Sequence, residues 1–143
     1  MKNLFLFAFV LTFLTACGGK TTTKVDKFDI SIDLPSGWSV ATTTYGDEVT
    51  AEISTKKRRA IEIVKANPTV ESLEMLEKAS KGTLEVLSKE TFDKGFGLVY
   101  KEKGKKKFVI YATVNGTQYR CSAGAYYKEE DFSKGLEIAK SIK

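Results

Sequence analysis

Few side chains in this chain can do covalent or acid–base chemistry. Of its 143 residues none is histidine, and only Cys17 and Cys121 are cysteine. Without imidazole the commonest general base near neutral pH is missing, and so are the usual nucleophilic triads and histidine-containing zinc sites. No phosphate-binding loop, dinucleotide fingerprint, calcium loop or G-x-S-x-G elbow occurs. Nothing therefore calls for a cofactor or a metal, and no catalytic residue is assigned. Two carboxylates can suffice for glycoside hydrolysis, but the acids here have simpler readings. Asp131 stands where a helix cap is expected, Glu129 and Glu130 at a solvated helix start, and Asp47-Glu48 in a turn. Glu52 and Glu62 alternate with apolar neighbours on the polar face of strands.

The two thiols differ in setting. Cys17 ends an apolar run, Leu4 to Leu14, followed by Thr15 and Ala16, and it precedes the polar stretch "GGKTTTKVDK". As a helix those eleven residues span about 16 Å, short of the ~20 residues a bilayer crossing needs. With Lys2 in front, the segment reads as a signal peptide. Leu14-Thr15-Ala16-Cys17 resembles a bacterial lipobox. That resemblance implies cleavage between Ala16 and Cys17 and a lipidated Cys17, with palmitate among the expected acyl chains. Two or three acyl chains make a firm anchor where one binds only reversibly. Gly18 after the cysteine resembles the default outer-membrane signal of Gram-negative lipoproteins. The expected location is thus the cell envelope, lipid-anchored, in the outer membrane of a Gram-negative host or on the outer face of a Gram-positive membrane.

Three segments follow: 1–16 as signal peptide, 17–27 as lipidated cysteine and flexible tether, and 28–143 as a single domain. Lys2 is the only charged residue among the first sixteen, so the net charge falls from +5 to +4 on processing. That excess suits solubility and does not by itself point to nucleic acid. With Cys17 lipidated, Cys121 has no partner for an internal disulfide, so stability must come from packing. In "QYRCSAGAYY" Tyr119, Cys121 and Ala123 alternate with the more polar Gln118, Arg120 and Ser122, which turns Cys121 toward the core as a small hydrophobe.

The remaining elements follow from periodicity. "FDISIDL", with Phe28, Ile30, Ile32 and Leu34 on one side, predicts a half-buried strand. After a Pro-Ser-Gly turn Trp38 is expected to plug a core corner, and "WSVAT" begins another strand. "DEVTAEIST" and "RRAIEIVKA" predict two strands joined by a "KKRR" turn. "NPTVESLEMLEKASKG" changes to helical spacing, with Asn67 or Thr69 as cap and Val70, Leu73, Leu76 and Ala79 or Ser80 facing one way. "TLEVLSKETFD" is assigned to a strand on its Thr, Val and Phe content. "GFGLVYKEK", "KFVIYATV" and "TQYRCSAGAYY" predict three more strands, with a turn at "GKKK" and a hairpin at Asn115-Gly116. Phe132, Leu136, Ala139 and Ile142 form a final helical stripe opened by Asp131. The fold class is α+β, mostly antiparallel β-sheet packed by a central and a C-terminal amphipathic helix.

The extended "FDISIDLPSGW", the central helix, the hairpin-rich second half and the closing "DFSKGLEIAKSIK" after "YRCSAGAYY" resemble the PsbP-like superfamily over most of residues 28–143. That family includes extrinsic photosystem subunits and Ran-binding proteins. The resemblance implies an antiparallel sheet between helices that binds protein partners without catalysis. It implies neither photosystem nor Ran function here.

Two basic clusters, Lys56, Lys57, Arg58, Arg59 and Lys105, Lys106, Lys107, are the candidate anion-binding residues. They form one positive patch if their turns share an end of the sheet; otherwise they are solvated hairpin ends. The function expected is a non-catalytic binding or structural module of the envelope. It is held to the membrane through Cys17 and partnered by an envelope protein or an anionic surface, not nucleic acid. The alternatives are an immunity or inhibitor lipoprotein against a toxin, and a small carboxylate-dependent envelope hydrolase. A glycan binder stacking on Trp38 or Tyr45, and a lipid carrier, are also conceivable.

Overall fold

The computed structural model describes residues 19–143; the segments expected to be signal peptide and lipobox, including Cys17, lie outside the described residues. Order begins earlier than expected. Residues 17–27 were expected to be a tether, yet β1 (Thr21–Val25) pairs antiparallel with β2 (Ile30–Leu34) around a 3-10 turn at Asp26–Phe28. The reason is Val25, which is 2% exposed and packs into the same core as Phe28, Ile30, Ile32 and Leu34. A side chain of that size stabilises by about 1.5–3 kcal/mol when buried. The strand expected over 28–34 is therefore shorter, and it belongs to this two-stranded ribbon rather than to the main sheet.

The main sheet has seven antiparallel strands: β3 (Ser39–Tyr45), β4 (Glu48–Ser54), β5 (Arg59–Lys65), β6 (Glu85–Phe92), β7 (Gly95–Glu102), β8 (Lys105–Val114) and β9 (Thr117–Ala123). Their spatial order is β3-β4-β5-β9-β8-β7-β6. The Asn115-Gly116 hairpin forms as expected, both residues having positive φ (50° and 76°), the conformation a two-residue type I′ turn requires. Lys103-Gly104 repeats it with φ of 50° and 80°. Consequently Lys105, Lys106 and Lys107 are the first residues of β8, not part of the turn.

β5 and β6 run in the same direction with β9, β8 and β7 between them, so their connection has to cross one face of the sheet. That crossover carries α1 (Leu73–Ser80). Its cap is Ser72, whose Oγ accepts from the Met75 N–H at 3.1 Å, and not Asn67 or Thr69. Both of those lie upstream, in a segment held to the sheet by Gln118. The Gln118 side chain accepts from the Val70 N–H at 2.8 Å and donates to the Val70 carbonyl at 2.7 Å. Val70, Leu73 and Leu76 pack on Leu98, Val109 and Tyr111.

The opposite face carries the larger core. α2 (Asp131–Ser141) and the β1–β2 ribbon cover Ile53, Ile61, Ile63, Phe108, Ile110 and Cys121. Phe132 and Leu136 from the expected stripe pack at its margin, while Gly135, Ile138, Ala139 and Ile142 are its buried residues. Asp131 is not the cap. Glu130 precedes the helix without a side-chain capping bond, and Asp131 is 1% exposed with its carboxylate turned inward. Trp38 is half-buried against this core, as expected of a plug. The whole is α+β and mostly antiparallel sheet, a layer of strands between α1 on one side and α2 with the ribbon on the other.

Candidate functional site

Strict alternation of direction puts the β4–β5 and β7–β8 turns at the same end of the sheet. The two basic clusters thus share an end, but most of their charges already have partners. Arg58 makes a two-pronged ion pair with Asp131, Nη1 on Oδ2 and Nη2 on Oδ1 at 2.9 Å. It also donates to the Tyr126 carbonyl at 3.2 Å. Hydrogen bonding to Asp131 holds the guanidinium proton more tightly than usual. Arg59 lies 3.0 Å from Glu52 and 3.8 Å from Glu62, Lys106 lies 3.2 Å from Glu129, and Lys107 lies 2.5 Å from Glu102. Lys56, Lys57 and Lys105 make no ion pair among the described residues. The acids that interrupt the patch come from β4, β5 and β7 (Glu52, Glu62 and Glu102) and from the segment leading into α2 (Glu129 and Asp131), which the chain delivers to this same end.

The carboxylates read as strand-face residues are engaged as well. Glu52 and Glu62 face each other across β4 and β5, and Arg59 is shared between them, nearer to Glu52. Trp38 and Tyr45 flank opposite ends of β3, so they do not form one stacking platform.

A concavity lies on the α1 face. Because α1 spans only eight residues, about 12 Å at 1.5 Å per residue, it covers only part of the sheet. Beside it runs a groove of about 790 Å³, within the usual range for ligand sites. Its floor takes Leu98 and Tyr100 from β7, Val109 and Tyr111 from β8, Arg120 and Ser122 from β9, and Glu62 from β5; Leu76, Ser80 and Leu84 form one wall. At the basic end it is bounded by Glu102, Lys103, Lys105, Lys107 and Tyr127. Tyr111 is directly opposite Arg120 in the β8–β9 register, and Tyr100 opposite Lys107 in the β7–β8 register. Burial pushes both phenols up, opposed in part by Arg120 at Tyr111 and by Lys107 at Tyr100. Both remain neutral hydrogen-bond donors near pH 7.

Of the expected site residues only Lys105 and Lys107 border this groove. Strand alternation put Arg120 on the polar face without marking it as a site. The Asn115-Gly116 hairpin already sets it beside β8; finding the site needed the pairing of β9 with β5 and the short reach of α1.

Cys121 is fully buried on the opposite face, as its alternation predicts, and burial pushes its thiol up from 9.0 to about 12. A thiol reagent is expected to modify the native protein only as fast as the protein opens. Labelling of native and urea-unfolded protein at equal rates would refute this. A folded-state pKa above the unfolded value adds stability that is complete below the unfolded pKa and is lost as pH rises through the folded one. Cys121 therefore contributes fully below about pH 9 and loses that contribution by about pH 12. Tyr100, Tyr111 and Tyr119 shift the same way. The urea midpoint should fall as pH rises from 9 to 12, and less steeply in Cys121→Ala; a midpoint unchanged through that window would contradict the buried thiol.

No family model and no curated protein sequence matches the chain. Among solved structures it is similar to that of cyanobacterial PsbP (CyanoP) from Synechocystis sp. PCC 6803. The TM-score is 0.50 at 16% identity, covering 91% of this chain and 98% of that one. At that identity the likeness is one of architecture, and the fold of residues 19–143 is PsbP-like.

Proposed function

We propose that this chain is a lipid-anchored, non-catalytic binding module of the bacterial cell envelope, in the outer membrane where the host is Gram-negative. The observation that carries the binding role is the groove beside α1, a formed concavity in which two cross-strand pairs, Tyr111 with Arg120 and Tyr100 with Lys107, gather hydrogen-bond donors. The non-catalytic part is supported by the engagement of Glu52, Glu62, Glu102 and Asp131 with cationic partners.

The anchor rests on Leu14-Thr15-Ala16-Cys17. Only Gly18, Gly19 and Lys20 separate Cys17 from β1, and four Cα–Cα steps reach at most about 14 Å. A lipid on Cys17 would hold the folded body against the bilayer rather than on a long tether. The ribbon would lie nearest the membrane, with the groove on the far face of the sheet.

Metabolic labelling with an alkynyl palmitate, followed by membrane fractionation, tests the anchor. The wild-type chain should carry label and sediment with membranes, while Cys17→Ala should lose both. An unlabelled, soluble wild-type protein would overturn the assignment. In-cell crosslinking of the two forms then tests binding, which predicts adducts through groove residues.

A further inference from the structure

We infer that the open edge of β3 docks a second copy of this chain, the two β3 strands pairing antiparallel about a two-fold axis at Thr42. This goes beyond the function proposed above and does not depend on the lipid anchor. The main sheet ends in two edge strands, β3 and β6, and they are built differently. β6 carries Glu85, Lys89 and Glu90, and its register is broken between Val86 and Ser88. Charges and bulges are the usual means of keeping an edge from pairing with another chain. β3 has neither: SVATTTY is uncharged, and its register with β4 is unbroken.

The two-residue turn at Gly46-Asp47 makes Tyr45 and Glu48 a hydrogen-bonded pair. Counting back in twos, Thr43, Ala41 and Ser39 direct their N–H and C=O groups to β4, while those of Val40, Thr42 and Thr44 point away from it. β1 pairs only with β2, and among the described residues no other backbone group bonds to these three. An axis at Thr42 sets Thr42 against its own copy and Val40 against Thr44 of the partner subunit, so every outward residue falls in a pair that exchanges two bonds. On the α1 face Tyr45, 60% exposed, meets the small Ser39 of the partner subunit, and Thr43 meets Ala41 of the partner subunit. Large side chains thus face small ones and no like charges oppose. A charged strand would find nothing on β3 to neutralise it, which favours a copy of the same uncharged strand. The axis stands perpendicular to the sheet, so both β1–β2 ribbons face the same way. Contact confined to two strand edges falls short of the ~1,000 Å² that a stable interface needs, so the dimer is expected to be weak and reversible.

The test uses the mature chain from residue 17 carrying Cys17→Ala, followed by sedimentation and backbone amide shifts as its concentration is raised to about 1 mM, enough to detect a millimolar contact. The chain should move toward dimer mass, and the amides of Val40, Thr42 and Thr44 should shift while those of β6 stay. Thr42→Pro removes an N–H that β4 does not use, a change edge strands tolerate, and should weaken association at least tenfold. Thr42→Lys and Thr42→Glu each set like charges together on the axis and should do the same, while an equal mixture of the two should recover association. Thermal midpoints close to that of the parent chain show the folds intact. No association at about 1 mM, indifference to these changes, shifts that map elsewhere, or no recovery in the mixture would each overturn the inference. A monomeric chain whose residues 39–45 crosslink to another protein in cells would overturn it too, giving the edge to a foreign strand.

Discussion

Replacing Asp131 with Ala is expected to destabilise the protein by about 3–5 kcal/mol, the usual cost of removing one member of a buried ion pair. The Asp131 side chain is 1% exposed and that of Arg58 16%. Loss of the carboxylate leaves the guanidinium only the Tyr126 carbonyl at 3.2 Å and Glu130 at 3.9 Å, and removes the acceptor that the Lys128 N–H meets at 2.6 Å. The pair ties the β4–β5 turn to the start of α2, so the damage should centre at that end. Urea unfolding measures it. Removing both charges together, Arg58→Met with Asp131→Leu, should recover most of the loss, because no unpaired charge then stays buried. If Asp131→Ala unfolded at the wild-type midpoint, the pair would have no structural role.

Phe108→Ala is expected to cost about 3–5 kcal/mol through lost burial and the cavity left behind. Phe108 is 2% exposed, its ring 5.7 Å from that of Phe132 and beneath Gly135 of α2. A methyl group added at Gly135 would lie 2.9 Å from Phe108 Cε2. Glycine therefore lets the helix approach the ring, although glycine within a helix costs about 1 kcal/mol relative to alanine. The two sites should couple with a change of sign. Gly135→Ala should destabilise the wild-type protein and stabilise the Phe108→Ala variant, where the helix propensity remains and the clash is gone. A double-mutant cycle in urea reads the coupling; simple additivity would show that the ring does not set the spacing of α2.

Much of the architecture follows from local pattern. Period-two alternation places Ile30, Ile32 and Leu34 inward and buries Cys121, because adjacent side chains on a strand leave opposite faces. Asn115-Gly116 specifies its hairpin through two positive φ angles that few other residue pairs accept. The class, antiparallel sheet with two helices, is legible for the same reason. Where alternation is silent the expectations fail. It says which way a strand's side chains point but not which strand lies beside it unless a tight hairpin joins the two, so the return of β9 to pair with β5 could not be read. The Asn115-Gly116 hairpin already sets Arg120 opposite Tyr111, and the pairing with β5 together with the short reach of α1 completes the groove.

Charge is equally silent about distance in sequence. Asp131 and Arg58 look like a cap and a turn cation because each is polar and near an element end. They are buried together only because the segment after β9 reaches the end of the sheet where the β4–β5 turn lies. Thr21–Val25 looks like a tether because its threonines and lysine show no apolar period, and a single residue, Val25, draws it into the core. The sequence by itself determined most of the elements and their inward faces, since each depends on neighbours a few residues apart. Tertiary structure alone decided which charges are engaged, where order begins and where the groove opens, since each depends on surfaces that meet only when distant strands pair.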